Sequence, residues 1–287
     1  MSKPIKIIEC PRDAMQGYSK IFSTEAKIEY LNNLLDVGFD VLDCASFVSP
    51  KAIPQMVDTA KVLESLDLSK TKSKLLAIVA NERGANDATN FDEISYLGYP
   101  FSISETFQQR NTNASIDQSL TRVEAIQNLC VKHNKKMLVY ISMGFGNPYG
   151  DTYSPEIAAH WSEKLVKDLE IEIISLSDTI GVSNSENITH LFSTLIPEFP
   201  KVSFGAHLHT TPNEWKLKVD AAYKSGCRRF DGAIKGFGGC PMAADDLTGN
   251  MPTEKMISYF DENEIKTGLN INELDKSMLL ASETFPA

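Results

Sequence analysis

The feature that most constrains this chain is an alternation of short apolar runs and amphipathic stretches from one end to the other. Residues 6–10 read as a strand, and Pro11, with no N–H and a fixed φ, ends it. Ser23-Thr24-Glu25-Ala26 starts a helix whose apolar stripe (Ile28, Leu31, Leu34, Leu35) stops at Gly38. Further strands are predicted at 39–44, 74–79, 94–97, 136–141, 171–176, 202–208 and 229–234, and helices at 54–66, 115–129, 155–169, 185–195 and 213–224. A long loop is predicted over 98–113. The strands are apolar throughout rather than alternating, as parallel strands buried on both faces are. Eight strands, each followed by a helix or long loop, predict one α/β domain over residues 1–287: a (β/α)8 TIM barrel with a short helical C-terminal extension at 252–287.

Charge narrows the partners. The net charge is −10, and no basic stripe is present to neutralise phosphates, so a nucleic-acid partner is not expected. No apolar run reaches the roughly 18 residues that cross a bilayer, so no membrane partner is expected. Met1-Ser2-Lys3-Pro4 leads straight into a strand without a signal or transit segment. Five cysteines without paired spacing suit free thiols in a reducing, cytoplasmic setting. A homodimer is the simplest assembly compatible with the sequence.

The chemistry-bearing residues fall at predicted strand ends, where α/β barrels build their sites. Arg12 and Asp13 follow the first strand as a fixed cation and a carboxylate. His207 and His209 end the seventh; at i and i+2 they share a face, so both imidazoles can converge on one ion, with Asp13 as a hard oxygen ligand. Such a mixed set suits Mg²⁺ or Mn²⁺. Gly236-Phe237-Gly238-Gly239-Cys240-Pro241 follows the eighth strand and delivers a thiol that can act as acid, base or nucleophile, or sit inert in a turn. Asp43 and Asp178 end the second and sixth strands; they either hold Arg12, tune a proton-transfer group or cap a helix. Asn250 and Glu254 either start a helix or reach back to the barrel mouth.

Five segments occur in the order seen in 3-hydroxy-3-methylglutaryl-CoA lyases: Cys10-Pro11-Arg12-Asp13-Ala14-Met15-Gln16, Ser46-Phe47-Val48-Ser49-Pro50-Lys51, Ser177-Asp178-Thr179-Ile180-Gly181-Val182, His207-Leu208-His209 and Gly236-Phe237-Gly238-Gly239-Cys240-Pro241. The sequence resembles that family from about Ile7 to Leu274, and the Gly-Gly-Cys-Pro loop is the most discriminating piece. The resemblance implies a retro-Claisen cleavage to acetyl-CoA and acetoacetate, the reaction of leucine breakdown. It further implies a divalent ion on Asp13, His207, His209 and Asn250. Arg12, Cys240, Asp43, Asp178 and His207 become the catalytic candidates. The acyl-CoA contacts become Arg12, Gln16, Lys20 and Lys51, the lysines for the CoA phosphates.

The sequence departs from the family pattern at Asp43 (usually Glu), Leu208 (usually Cys), Thr210 (often Asp or Asn) and Gly17-Tyr18-Ser19-Lys20. The interval from Cys240 to Asn250 is one residue longer than the family's. The competing readings are a Claisen-type synthase or aldolase of the same superfamily, and an inactive barrel serving as a scaffold.

Overall fold

The computed structural model describes residues 4–239 and 248–285. Strands β1 (Lys6–Glu9), β2 (Val41–Ser46), β3 (Lys74–Ile78), β4 (Ile94–Ser102), β5 (Lys136–Ser142), β6 (Ile173–Asp178), β7 (Ser203–Leu208) and β8 (Arg229–Gly232) close into a barrel in chain order. Every pairing is parallel, and closure is made by β8 against β1, with Lys6 opposite Arg229 and Glu9 opposite Gly232. The expected eight-stranded barrel is therefore the observed one.

Side-chain parity divides the apolar core. Ile8, Cys10, Val41, Leu76, Ile78, Leu138, Tyr140 and Ile173 form a separate cluster inside the barrel. Their chain neighbours, such as Ile7, Leu42, Ala77, Val139 and Ile174, join the larger core between strands and helices. The helices carry the local signals their sequences require. Ser23 accepts from the Ala26 N–H at 3.2 Å to start α2 (Thr24–Val37), and Gly38 closes it at φ 82°. Ser115 and Gln118 make a reciprocal capping box for α6 (Ile116–Lys132). Pro155 opens α7 (Pro155–Leu169), where its missing N–H costs nothing. No helix among the described residues is long and apolar enough to cross a membrane.

The structure departs from the sequence expectations at four places. First, β1 stops at Glu9, and Pro11 is the first residue of a short helix, α1 (Pro11–Gln16), so Pro11 starts an element as well as ending one. Second, the loop expected over 98–113 is not a loop. β4 continues through Gly98 and Pro100, paired with Leu138 and Tyr140, and α5 (Glu105–Thr112) follows, capped by Ser104. Gly98 belongs in the ladder because a Cβ there would meet Ile78 Cδ1 at 2.6 Å inside the crowded barrel. α5 buries only Phe107 and Gln108, too few residues for a helical stripe to show. Third, the 54–66 helix is a 3-10 turn (Pro54–Met56) and then α3 (Thr59–Glu64); α4 (Glu82–Thr89), capped by Asn81, was not anticipated. Fourth, the chain beyond 252 is only partly an extension. After α8 (Ser185–Glu198) and α9 (Trp215–Lys224), α10 (Thr253–Glu262) follows β8 and packs beside α9 as the eighth barrel helix. Only α11 (Ile271–Thr284), lying along α2, is additional.

Glu9 helps secure the closure. The Ile234 N–H and the Thr253 hydroxyl donate to its two oxygens at 2.8 and 2.6 Å. Burial pushes its carboxyl up to about 8 against those two bonds.

α4 sits so close to the chain after β2 that a Cβ on Gly84 would lie 2.4 Å from the Phe47 carbonyl oxygen. Helix propensity favours Ala over Gly by about 1 kcal/mol, but the backbone clash is the larger effect. Gly84→Ala is expected to destabilise the protein by about 1–3 kcal/mol in denaturant titration, and a stabilised variant would contradict the close packing.

Candidate active site

Pro11 turns the chain so that Arg12 and Asp13 lie in the first turn of α1 at the C-terminal rim of the barrel, 7% and 5% exposed. Arg12 makes a two-pronged contact with Asp43 of β2, Nε to Oδ1 at 3.2 Å and NH2 to Oδ2 at 2.5 Å. Its remaining nitrogen, NH1, donates to Asp13 Oδ1 at 3.0 Å and Gln16 Oε1 at 2.8 Å. The Gln16 amide in turn donates to Asp13 Oδ1 at 2.7 Å. Burial alone would weaken the guanidinium's hold on its proton, but Asp43 and then Asp13 more than restore it. Burial raises the Asp43 carboxyl, with Arg12 opposing. Asp13 goes the other way: burial is outweighed by Arg12, His207, His209 and the Asn250 bond, and its carboxyl is held below the usual range.

His207, at the end of β7, and His209, just beyond it, bring their rings to 5.4 Å between centroids. Ligand atoms of Asp13, His207 and His209 all lie within 4.8 Å of one another. Each imidazole is oriented from behind. His207 Nδ1 lies 3.2 Å from Asp231 Oδ2 on β8, and His209 Nδ1 lies 3.0 Å from the Thr248 carbonyl. In both rings the acceptor takes the Nδ1 proton and leaves Nε2 as the donor atom, the arrangement typical of metal-binding histidines. Burial and then the charge of His207 lower His209 to about 4, so it is neutral near pH 7. For His207 burial acts downward, but the bond to Asp231 prevails and the pKa is raised. Asn250 is 3% exposed and donates from Nδ2 to Asp13 Oδ2 (2.8 Å) and the Phe237 carbonyl (2.9 Å). One carboxylate and two imidazole nitrogens in reach of one another suit a hard or borderline divalent ion.

Arg12, Asp13, Gln16, His207 and His209 line a single cavity. Its walls add apolar groups (Val48, Ile53, Ile78, Phe107) and polar ones (Asn111, Ser142, Ser177, Thr179). The structure thus brings together Arg12, Asp13, Gln16, Asp43, His207, His209 and Asn250.

Other candidates fall elsewhere. Asp178 was expected to be catalytic, but its carboxylate accepts from the Val182 and Ser183 N–H groups, each at 2.9 Å, and from Lys218 Nζ at 2.8 Å. It is fully buried and does not line the cavity, because side chains alternate along β6 and Ser177, not Asp178, faces inward. Lys20 and Lys51 are exposed and are not among the cavity-lining residues, although Lys51 directly precedes the lining Ala52 and Ile53. Glu254 accepts from the Lys235 N–H at the start of α10, taking the helix-start alternative. Cys240 lies outside the described residues. Sequence reasoning missed Asp231 and Lys218. A carboxylate in the apolar β8 run was a legible signal for Asp231; a lysine in an amphipathic helix gave none.

The fold and site define a class: (β/α)8 barrels with an arginine beside a carboxylate–imidazole ligand set at the C-terminal rim. The chain belongs to the HMGL-like family, whose family model matches residues 5–279. It is 32% identical over 277 residues to the mitochondrial hydroxymethylglutaryl-CoA lyase of Macaca fascicularis, covering 96% of this chain and 83% of that one. It is also 32% identical over 264 residues to the hydroxymethylglutaryl-CoA lyase YngG of Bacillus subtilis, covering 92% and 87%. The solved HMG-CoA lyase of Acinetobacter baumannii, in complex with coenzyme A and 3-methylmalate, superposes with a TM-score of 0.90 at 27% identity, covering 99% of this chain and 93% of that one.

Asp231→Asn keeps the shape behind His207 but can present an N–H to Nδ1 and shift the imidazole proton to Nε2. Mn²⁺ affinity in calorimetric titration is expected to fall by about 10–100-fold with the circular dichroism spectrum unchanged. Unchanged affinity would contradict the orienting role.

Proposed function

We propose that this chain cleaves 3-hydroxy-3-methylglutaryl-CoA to acetyl-CoA and acetoacetate. The observation that carries the reading is the convergence of Arg12 with Asp13, His207 and His209 in one cavity, in a chain of the HMGL-like family. Asp13, His207, His209 and Asn250 would hold Mg²⁺ or Mn²⁺, which when bound supplies Lewis-acid stabilisation to the substrate's hydroxyl and carboxylate oxygens.

The protein's own groups account for the rest of the chemistry. Transfer of the hydroxyl proton to a base of the site, His207 or the Cys240 thiolate, lets the carbon–carbon bond open to a ketone, and the departing fragment is the enolate of acetyl-CoA. Negative charge therefore develops at the thioester oxygen. Arg12 stays protonated at any working pH, and its two-pronged anchor on Asp43 fixes the guanidinium plane where the residue lines the cavity, with one NH2 hydrogen not taken by Asp43. A preformed donor of this kind contributes roughly 3–4 kcal/mol to the transition state. Both Asp43 oxygens are taken by Arg12, so the carboxylate acts as its anchor. The enolate carbon then needs a proton. Gly238 packs where a Cβ would meet the Asp13 carbonyl oxygen at 2.6 Å and Asn250 Nδ2 at 2.9 Å, so the chain runs beside the ligand set two residues before Cys240. That approach favours the Cys240 thiol as proton donor. The apolar wall of Val48, Ile53 and Phe107 suits the methyl-bearing acyl chain and pantetheine arm of an acyl-CoA.

Purified protein with Mg²⁺ or Mn²⁺ and 3-hydroxy-3-methylglutaryl-CoA is expected to release acetoacetate, followed by a coupled dehydrogenase assay, and EDTA is expected to stop it. Condensation of acetyl-CoA with a 2-oxo acid would replace this reading by a synthase, and neither activity would leave a scaffold. Arg12→Gln is expected to lower kcat by about 10²–10³-fold while calorimetry shows Mn²⁺ still bound; full turnover in that variant would remove Arg12 from the mechanism.

A further inference from the structure

Lys218 of α9 is a lysine whose side chain is almost wholly enclosed, at 1% residue exposure. Its ammonium group donates to Asp178 Oδ2 at 2.8 Å, to the Gly181 carbonyl at 3.0 Å and to the His209 carbonyl at 2.9 Å. That uses all three of its N–H donors. The three acceptors come from three different places: the end of β6, the loop that follows it, and the stretch beyond β7 that carries an imidazole of the site.

These contacts belong to a closed circuit. Asp178 also takes the Val182 and Ser183 N–H groups, so the loop after β6 is folded around it. From that loop the Ile180 carbonyl accepts the Thr248 hydroxyl at 3.2 Å. The Thr248 carbonyl faces His209 Nδ1 at 3.0 Å, and the Thr210 N–H donates to the Gly249 carbonyl at 2.9 Å. His209 is therefore held twice, by its main-chain carbonyl directly on Lys218 and by its ring through Thr248. The same path leads to Gly249 and Asn250, so two of the four site donors depend on one ammonium group.

We propose that Lys218, with Asp178 as its counter-ion, is a positioning residue that sets the His209 imidazole and thereby the affinity of the site for a divalent ion. The proposal rests on the metal-dependent reading given above. It replaces a catalytic role for Asp178 by a role at one remove, through Lys218 and His209. It also separates two functions of the rim: the Arg12–Asp43 side fixes the charge-stabilising group, and the Lys218–Asp178 side fixes the ligand set.

The test compares wild type, Lys218→Met and the charge-balanced Asp178→Asn/Lys218→Met, the second variant avoiding a buried carboxylate without its cation. Mn²⁺ alone is titrated by calorimetry into each folded protein, with thermal melting and Mn²⁺-dependent kinetics measured in parallel. The expected result is Mn²⁺ affinity weakened about 10–100-fold, the activation constant for Mn²⁺ rising in step, and kcat recovering as Mn²⁺ is raised. A role confined to holding the fold together would lower the melting temperature and leave Mn²⁺ affinity as in wild type, and that result overturns the proposal. Should Lys218→Met not fold, the double variant decides by the same criterion. Wild type that takes up no Mn²⁺ would overturn the metal reading itself and this proposal with it.

Discussion

Closure of β8 on β1 is the constraint on which the rest depends. Lys6 sits opposite Arg229 and Glu9 opposite Gly232, joining parts of the chain more than two hundred residues apart. The barrel then places the α1 turn, which follows β1, beside the stretch that follows β8. Without that register Asp13 and Asn250 would share nothing; with it they are joined by a 2.8 Å hydrogen bond. Parallel pairing encloses the inward side chains, so an inward polar group must find its partner on a nearby strand. Asp231 does so with His207 and with Ser175 Oγ at 3.3 Å.

The charge arrangement follows from that enclosure. Arg12 is one cation facing Asp13 and Asp43, and Asp231 adds a third carboxylate behind His207. Buried charges left uncompensated are expensive, and carboxylates gathered beside two imidazoles form an environment that a divalent ion relieves. On the outer side of β6, Lys218 and Asp178 are paired one to one and fully enclosed. The two networks thus differ in build: the inner one joins Arg12 to two carboxylates beside the imidazoles, and the outer one is a single enclosed ion pair.

Much of this was legible in the sequence because its signals are local. Apolar runs with Ser, Thr or Pro at the following helix starts gave eight strands in order, and Arg12-Asp13 and His207-Leu208-His209 declared themselves by their place at strand ends. Glycine and proline misled where the barrel overrides them, at Gly98 and Pro100 in β4, since closure demands a thin strand face there whatever the local preference. α4 and α5 were hidden because short helices that bury two to four residues leave no periodic stripe. Asp178 was misassigned because a carboxylate at a strand end reads the same whether it faces the lumen or the helices; one step along the strand decides, and only the register supplies it. The partnership of Lys218 with three separated acceptors lies beyond any pattern in the chain.

The segment that bears Cys240 has a further property, set by what flanks it. On one side Gly238 lies flush against the Asp13 and Ala14 backbone, and on the other Thr248 to Asn250 are tied to His209, Thr210 and Asp13. The two stretches that flank Cys240 are thus each fixed by their own contacts with the start of α1 and the end of β7, and the hydrogen bond between Asp13 and Asn250 is held from both sides.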